Sequence, residues 1–153
     1  MQKLAQIKSM QAKKQRADLK KRKQALETTS QKIKKTQMVV NEYIRLRDAG
    51  KQCITCDKIL TGKFDAGHYF NANNHHNLRF DPVNINGQCV RCNRSLHGAL
   101  IQYRKSIVDR WGIQELIRLE SMAYVIRKFT PWELDDIKSE FKKRIKELKK
   151  NNK

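Results

Sequence analysis

Cys53-Ile54-Thr55-Cys56 and Cys89-Val90-Arg91-Cys92 are two C-x-x-C pairs, and 32 residues separate them. Each pair is typical of a turn that directs two thiolates at one point, and two such turns form the closed tetrahedral site of structural zinc. Four thiolates leave no open coordination position, so we assign this zinc to folding and expect any catalysis elsewhere. The alternatives are redox-active dithiols and unpaired buried cysteines.

The composition restricts the class of binding partner. The chain has 153 residues with 34 Lys and Arg against 15 Asp and Glu, which gives a net charge of +19 and a pI of about 10.1. Such a charge favours a polyanionic partner, and nucleic acid is the first candidate. No apolar run approaches the roughly 20 residues of a membrane-spanning helix, and no signal peptide is recognisable. We therefore expect a soluble cytoplasmic protein with no membrane partner.

The residues before the first cysteine pair predict a basic helical arm over 1–49. This segment contains no Gly or Pro, and its 14 basic and 4 acidic residues give a net charge of +10. The cluster Thr28-Thr29-Ser30 predicts a break, with Ser30 capping a second helix that ends at Gly50.

The residues after the second pair predict three helices. The first is stopped by Gly112, and the second runs over 113–126. The last begins at Pro131, because Thr130 and Glu133 have the spacing of a capping box and Pro is favoured at the first helical position. We interpret the apolar stripes of these helices as core.

The segment between the cysteine pairs carries a second set of polar residues. Residues 63–70 predict a short strand with His68 at its end. Asn84 stands five residues before Cys89, and Asn93 and His97 follow Cys92 at a spacing of four, which on a helix places both on one face. A His on one strand, an Asn on the next and polar ligands on a following helix are typical of a nuclease site.

Residues 53–98 resemble the HNH (ββα-metal) nuclease family, whose motif runs from a His through an Asn to a third His or Asn. More narrowly, the chain from about residue 43 to its last helix resembles the NinG (Rap) recombination endonucleases of lambdoid phages. The segments that carry the likeness are Asp65-Ala66-Gly67-His68-Tyr69, Leu78-Arg79-Phe80-Asp81, Asn84-Ile85, Gln88-Cys89-Val90, Cys92-Asn93 and Tyr103-Arg104.

The resemblance implies a structure-selective endonuclease that acts on branched recombination intermediates such as four-way junctions and D-loops. It also implies the host bacterial cytoplasm as the location, with recombination proteins as candidate partners. The sequence leaves the oligomeric state open; because resolving a four-way junction takes two incisions, a symmetric homodimer is the economical hypothesis. The predicted fold is α+β: a zinc-stapled ββα-metal domain with C-terminal helices over 50–153, preceded by the arm.

The chemistry of DNA cleavage suggests roles for these residues. DNA lacks a 2′-OH nucleophile, so cleavage requires an activated water, a base and neutralisation of charge on the phosphate. His68 is suited to be the base. Asn84 is expected to accept the ring N–H of His68 through its amide oxygen. Mg²⁺ or Mn²⁺ prefers hard oxygen ligands, which Asp65 and Asn93 supply.

The sequence departs from the usual HNH pattern at the metal ligands. Asp65 lies three residues before His68, and an odd offset puts the two on opposite faces of a regular strand. We expect Gly67 to mark a bulge that brings them together; the alternative is that Asp65 is a solvated acid. Asn93 stands where many members have His, and His97 is either a third ligand or a phosphate contact.

Basic residues around the motif are expected to contact phosphates, although a solvated basic surface is the alternative. They are Arg79, Arg91, Arg94, Arg104 and Lys105. His75 and His76, in a polar loop, receive no metal role. Two rival functions remain: a non-catalytic zinc module that binds DNA or RNA through charge, and a structural protein that docks through its helices. His68 with Asn84 argues against the first, and a gel shift with DNA tests the second.

Overall fold

The computed structural model describes residues 2–25 and 27–151. Residues 1 and 26 of the predicted arm and residues 152 and 153 of the predicted 50–153 domain lie outside this description. The order of elements is α1 (Gln2–Ala25), α2 (Thr29–Asp48), β1 (Asp65–His68), a 3₁₀ turn (His76–Leu78), β2 (Ile85–Gln88), a π turn (Arg91–Ser95), α3 (Leu100–Trp111), α4 (Ile113–Met122) and α5 (Pro131–Asn151).

Helix α2 begins two residues earlier than a cap at Ser30 would allow, so that prediction is wrong. Thr28 is the N-cap: its hydroxyl accepts from the Gln31 N–H, and the Gln31 side chain accepts from the Thr28 N–H. Gln31 stands at the third helical position relative to Thr28 and completes a capping box, which Ser30 cannot do because Ile33 follows it at that spacing. Gly50, at a φ of +76°, follows the end of the helix.

Helices α1 and α2 differ in their packing. Every α1 side chain that the structure describes is exposed. Helix α2 lies against α5 and buries Val40 and Ile44. These two residues pack in one core cluster with Phe80, Ile85, Phe129, Leu134 and Phe141. The second half of the segment 1–49 therefore belongs to the core, because its apolar residues recur on one helical face.

The sheet is small and covered on both faces. Strands β1 and β2 pair antiparallel, with Asp65 opposite Gln88 and His68 opposite Ile85. Ala66 and Ile85 face the cluster that contains α2. On the other face, the buried Tyr103 of α3 donates its hydroxyl to the Gly67 carbonyl at 2.9 Å. This confirms a mixed α+β fold with a two-stranded sheet.

The C-terminal helices enclose a second core. Its buried members include Leu78, Tyr103, Ile107, Leu116 and Leu119. The predicted stop at Gly112 and the capping box of α5 are confirmed, since Thr130 and Glu133 exchange backbone-to-side-chain hydrogen bonds. Helix α4 ends at Met122, so its predicted extension through residue 126 is wrong. Within residues 2–25 and 27–151, no helix has the length and apolarity needed to cross a membrane.

Candidate active site and zinc-binding site

The four cysteines converge as their spacing predicts. Their Sγ atoms all lie within 4.8 Å of one another, and among the described residues this is the only group of three or more His, Cys, Asp or Glu able to hold one metal ion. Cys53, Cys89 and Cys92 are buried beside Leu60 and Phe64. Four cysteine thiolates arranged in this way could bind a metal such as zinc, which is the metal usually found in tetrahedral Cys₄ sites.

Hydrogen bonds favour the thiolate at Cys53. Burial by itself raises the pKa of this thiol, but the Thr55 hydroxyl at 3.4 Å and the Cys89 N–H at 3.2 Å outweigh it and lower the pKa to about 7. The thiolate is the form that ligates metal. Donors of this kind are expected around a metal-binding cysteine turn, because they stabilise the negative charge on sulfur.

His68 ends β1 and is oriented by the backbone of a distant loop. Its Nε2 lies 3.1 Å from the carbonyl oxygen of Arg79. A carbonyl can only accept, so Nε2 carries the hydrogen and the neutral ring presents Nδ1 as an acceptor. Burial lowers the pKa of His68 below its ordinary value and outweighs the opposing effect of the Arg79 carbonyl. The ring is therefore neutral at neutral pH and able to accept a proton.

The predicted hydrogen bond between Asn84 and His68 is wrong. Asn84 is fully buried; its Oδ1 accepts from the Phe70 N–H at 2.8 Å, and its Nδ2 donates to the Phe70 and Leu78 carbonyls, each at 3.0 Å. Ile85 is the residue opposite His68, so its neighbour Asn84 points to the other face of the strand. Asn84 instead links Phe70 and Leu78, the two ends of the loop 70–78. Leu78 directly precedes Arg79, whose carbonyl orients His68.

This role predicts that Asn84→Ala destabilises the protein. The substitution leaves the Phe70 N–H and two carbonyls buried without their partner, and an unsatisfied buried group costs about 1–3 kcal/mol. We expect the free energy of unfolding to fall by roughly 3 kcal/mol in denaturant titrations. The matched control is Asn74→Ala in the same loop, whose side chain is exposed. Equal stability of the two variants would contradict the role.

The bulge predicted at Gly67 is also wrong. Four consecutive residue pairs join β1 to β2 in regular register, so Asp65 and His68 lie on opposite faces of the strand. Gly67 is required by a close approach instead. A Cβ at this position would lie 2.3 Å from Gln88 Oε1 and 3.1 Å from Asn93 Oδ1, and only glycine leaves that space.

The side-chain oxygens of Gln88 and Asn93 lie close to Gly67, and Asn93 is hydrogen-bonded to Asp65. We call the side-chain oxygens of Asp65, Gln88 and Asn93 the oxygen cradle. The fully buried Gln88 donates through Nε2 to the Thr55 hydroxyl at 3.1 Å and the Gly98 carbonyl at 2.8 Å. Its Oε1 therefore points at Gly67, where it has no hydrogen-bond partner. Asn93 donates through Nδ2 to Asp65 at 3.0 Å, which turns its Oδ1 to the same place.

Carboxylate and amide oxygens are the types of ligand that Mg²⁺ and Mn²⁺ prefer, so the cradle is the group of residues that could hold such a cation. The orphaned Oε1 of Gln88 is the strongest sign of this, since a buried acceptor is normally satisfied. Asp65 also forms an ion pair with Arg94, whose guanidinium donates two hydrogen bonds of 2.8 Å to the carboxylate. This pairing lowers the pKa of the Asp65 carboxyl. Gln88 was not identified from the sequence, where it resembles an ordinary strand residue.

His97 does not share a helical face with Asn93, so this prediction is wrong. The chain forms only a π turn over Arg91–Ser95, and His97 and Ala99 then adopt left-handed φ angles of +48° and +46°. These conformations end a helix because L-residues rarely continue through them. The exposed His97 instead borders a cavity of about 350 Å³ that also contains His68 and His75. His75, given no role from the sequence, therefore lies at the site.

The five predicted phosphate contacts differ in their availability. Arg94 is paired with Asp65, and Arg104 with Glu120 at 2.8 Å. Arg79 is half-buried and donates to Asn73 at 3.1 Å. Arg91 and Lys105 are exposed and have no acidic partner among the described residues. The positive charges of these two side chains are therefore not neutralised by a neighbouring carboxylate among the described residues.

A buried ion pair that no sequence pattern indicates holds β2 against α2. The fully buried Asp48 accepts from Arg47 at 2.6 and 2.9 Å and from the Gly87 N–H at 2.8 Å. Burial alone raises the pKa of Asp48, but Arg47 and Gly87 outweigh it and the pKa is lowered. Arg47 also donates to the carbonyls of Pro82 and Ile85. An Arg and an Asp at a helix end are common, and only the tertiary contacts distinguish them.

Comparison with known proteins identifies one family. The model of the family described as "Bacteriophage Lambda NinG protein" matches residues 1–152. "Protein ninG" of Salmonella phage P22 is 39% identical over 131 residues, which cover 86% of this chain and 64% of the relative. The proteins of the same name from Escherichia phage 933W and Escherichia phage lambda are each 37% identical over 131 residues, covering 86% of this chain and 65% and 64% of the relatives.

The matched region thus spans a little under two thirds of the length of these relatives. No solved structure matches this chain.

Proposed function

This chain belongs to the NinG family, and from that premise we propose that it is a metal-dependent DNA endonuclease selective for branched recombination intermediates. Four-way junctions and D-loops are the expected substrates, and an HNH (ββα-metal) core is the expected catalytic fold. The observation that carries the proposal is the environment of His68. A half-buried, neutral imidazole held through Nε2 by the Arg79 carbonyl has its other nitrogen free to act as a base.

In the proposed reaction, Nδ1 of His68 accepts a proton from the attacking water. The Arg79 carbonyl accepts from Nε2–H and stabilises the imidazolium that forms, as the orienting partner of a catalytic His does. Arg91 and Lys105 bind flanking phosphates, and His97 contacts the phosphate from the rim of the cavity. Asn84 acts at a distance by fixing the loop that carries Arg79.

Two metals enter the proposal with separate tasks. The four cysteines hold zinc, which stabilises the fold. Asp65, Asn93 and Gln88 would hold Mg²⁺ or Mn²⁺ on the face of β1 opposite to His68, where the ion would neutralise charge on a DNA phosphate. The orphaned Gln88 oxygen supports the second assignment. Recombination proteins and a second copy of the chain remain the proposed partners.

The direct test incubates the full chain with linear duplex, flap and four-way junction DNA, with Mg²⁺ and with no added divalent cation. A chelator is avoided because it would also remove zinc. We expect nicks in the branched substrates only, and only with Mg²⁺. DNA binding without cleavage under any divalent metal would instead support the non-catalytic zinc module, which the net charge of +19 favours on its own.

Removal of α1 is predicted to weaken DNA binding without affecting turnover. Residues 1–26 contain 9 basic and 1 acidic residue, and the deletion leaves the Thr28 cap of α2 intact. When fewer phosphates are neutralised, fewer counterions are released, so the plot of log affinity against log salt should flatten by about 0.9 for each phosphate that α1 neutralises. Binding is measured by fluorescence anisotropy over a salt series, and cleavage at saturating DNA.

A milder variant controls for loss of the helix itself. Replacing Lys13, Lys14 and Arg16 by Gln removes three exposed charges. This variant should flatten the plot of log affinity against log salt, but by less than the deletion does, whereas Gln11→Ala with Gln15→Ala should leave the slope unchanged. An unchanged slope after deletion would refute the electrostatic role. A change from dimer to monomer in sedimentation would assign α1 to a subunit contact instead.

A further inference from the structure

The segment between α4 and α5 displays apolar side chains where solvated polar residues are expected. Tyr124 is 86% exposed, Val125 54% and Ile126 93%. We call these three residues the apolar tip. Helix α4 has ended at Met122, and the residues 125–130 that follow have no regular secondary structure. Side chains of this size, adjacent and exposed together, are typical of a contact surface.

The apolar tip is held in place at both ends. On its N-terminal side, the carbonyl of the buried Ala123 lies 2.6 Å from Nδ1 of His75, and the Met122 carbonyl accepts from the Asn77 amide. On its C-terminal side, Phe129 is buried, with its ring 5.1 Å from that of Phe80. A segment anchored in this way presents its side chains in a fixed position, so little ordering is needed when it binds.

The apolar tip adjoins the cavity that contains His68. His75 lines that cavity, and its ring lies 6.0 Å from the ring of Tyr124. A second cavity, of about 180 Å³, is also lined by His75, together with Tyr124, Val125 and Ile126. The imidazole of His75 is therefore common to the proposed catalytic cavity and to the cavity beside the apolar tip.

We propose that the apolar tip is a wedge that stacks on the bases exposed at a DNA branch point. Away from its ends, a linear duplex offers no unstacked base face, whereas a branch interrupts stacking, and apolar or aromatic side chains insert at such steps. The charge supports DNA as the occupant, since the chain carries +19 and the exposed Lys128 lies two residues beyond Ile126. This inference rests on the proposed function, and it assigns the selection of branched over linear DNA to Tyr124 and Ile126.

The test measures binding rather than cleavage, so that it stands apart from the nuclease proposal. The full zinc-loaded chain with His68→Ala is titrated, in Mg²⁺, into a four-way junction that carries 2-aminopurine at the branch point, and into a linear duplex with the same label. Stacking of Tyr124 on the probe should change its fluorescence in the junction only. Tyr124→Ala with Ile126→Ala should abolish that change and weaken junction affinity by on the order of tenfold, with duplex affinity within about twofold.

The control is Met38→Ala, which removes a 69% exposed apolar side chain on α2 and should leave both affinities and the probe signal unchanged. An unaltered ratio of junction to duplex affinity in the double variant would overturn the wedge. Conversion of a dimer to a monomer by the double variant would overturn it too, and would assign the apolar tip to a second copy of the chain. If Tyr124 is needed for the preference for junctions but the parent chain cuts no DNA, the wedge proposal stands and the nuclease proposal fails.

Discussion

His68→Ala is expected to reduce the rate of DNA cleavage by about 10²–10⁴-fold, the usual contribution of a general base. DNA affinity should stay close to that of the parent chain, because the basic surface binds the ground state and the imidazole acts only in the transition state. Single-turnover nicking of a four-way junction gives the rate, and anisotropy gives the affinity. The matched control is His76→Ala, an exposed histidine that should keep full activity.

The pH profile provides a second measurement on the same residue. Burial lowers the pKa of His68 below the ordinary histidine value of about 6.5, and the neutral ring is the active base. Activity should therefore be constant at neutral pH and fall only in a range below about pH 6.5, as the ring becomes protonated. If His68→Ala nicks DNA at nearly the rate of the parent chain, and its activity falls at low pH in the same way, His68 is not the general base.

The features that the sequence predicts well are those set by local chemistry. Two C-x-x-C pairs fix the identity of four ligands, and the structure brings all four together. Thr130 and Glu133 form the predicted capping box, and Gly112 ends α3. In each case the residues that interact are within a few positions of one another or have a single favourable partner type. Tertiary packing then has little freedom to change the outcome.

The wrong predictions share a different cause: each needed the orientation of a side chain relative to a second element. Asn84 faces away from His68 because a one-residue shift in register reverses the face of a strand. Gly67 suggested a bulge, but its missing Cβ accommodates the Gln88 oxygen. His97 falls outside a helix because residues 97–99 adopt left-handed conformations, for which Gly98 is the local signal. Asp48 and Gln88 were missed for the same reason, since the contacts that distinguish them, with Gly87 and with Thr55, come from distant parts of the chain.

Cys89→Ser is expected to unfold the segment between the cysteine pairs and release its metal. Cys89 is buried, its Sγ lies 3.9 Å from that of Cys56, and it accepts from the Cys92 N–H at 3.5 Å. A structural zinc site contributes about 10–16 kcal/mol of binding free energy in small metal-dependent domains. This is comparable to the whole stability of a typical domain, about 5–15 kcal/mol. Loss of one thiolate should therefore abolish the cooperative thermal transition of this segment, and Cys56→Ser should have the same effect.

Metal content by mass spectrometry and folding by circular dichroism measure the two consequences separately. The matched control is Arg91→Ala, which alters an exposed residue between two ligands and should stay folded with one zinc per chain. Because Asn84 and Arg79 lie in the chain between the two pairs, unfolding should also abolish cleavage by removing the support of His68. A Cys89→Ser protein that stays folded, contains no zinc and still nicks junctions would contradict the zinc assignment. It would favour the alternative in which the cysteines are unpaired buried residues, since replacing a thiol that binds no metal removes no metal-binding energy.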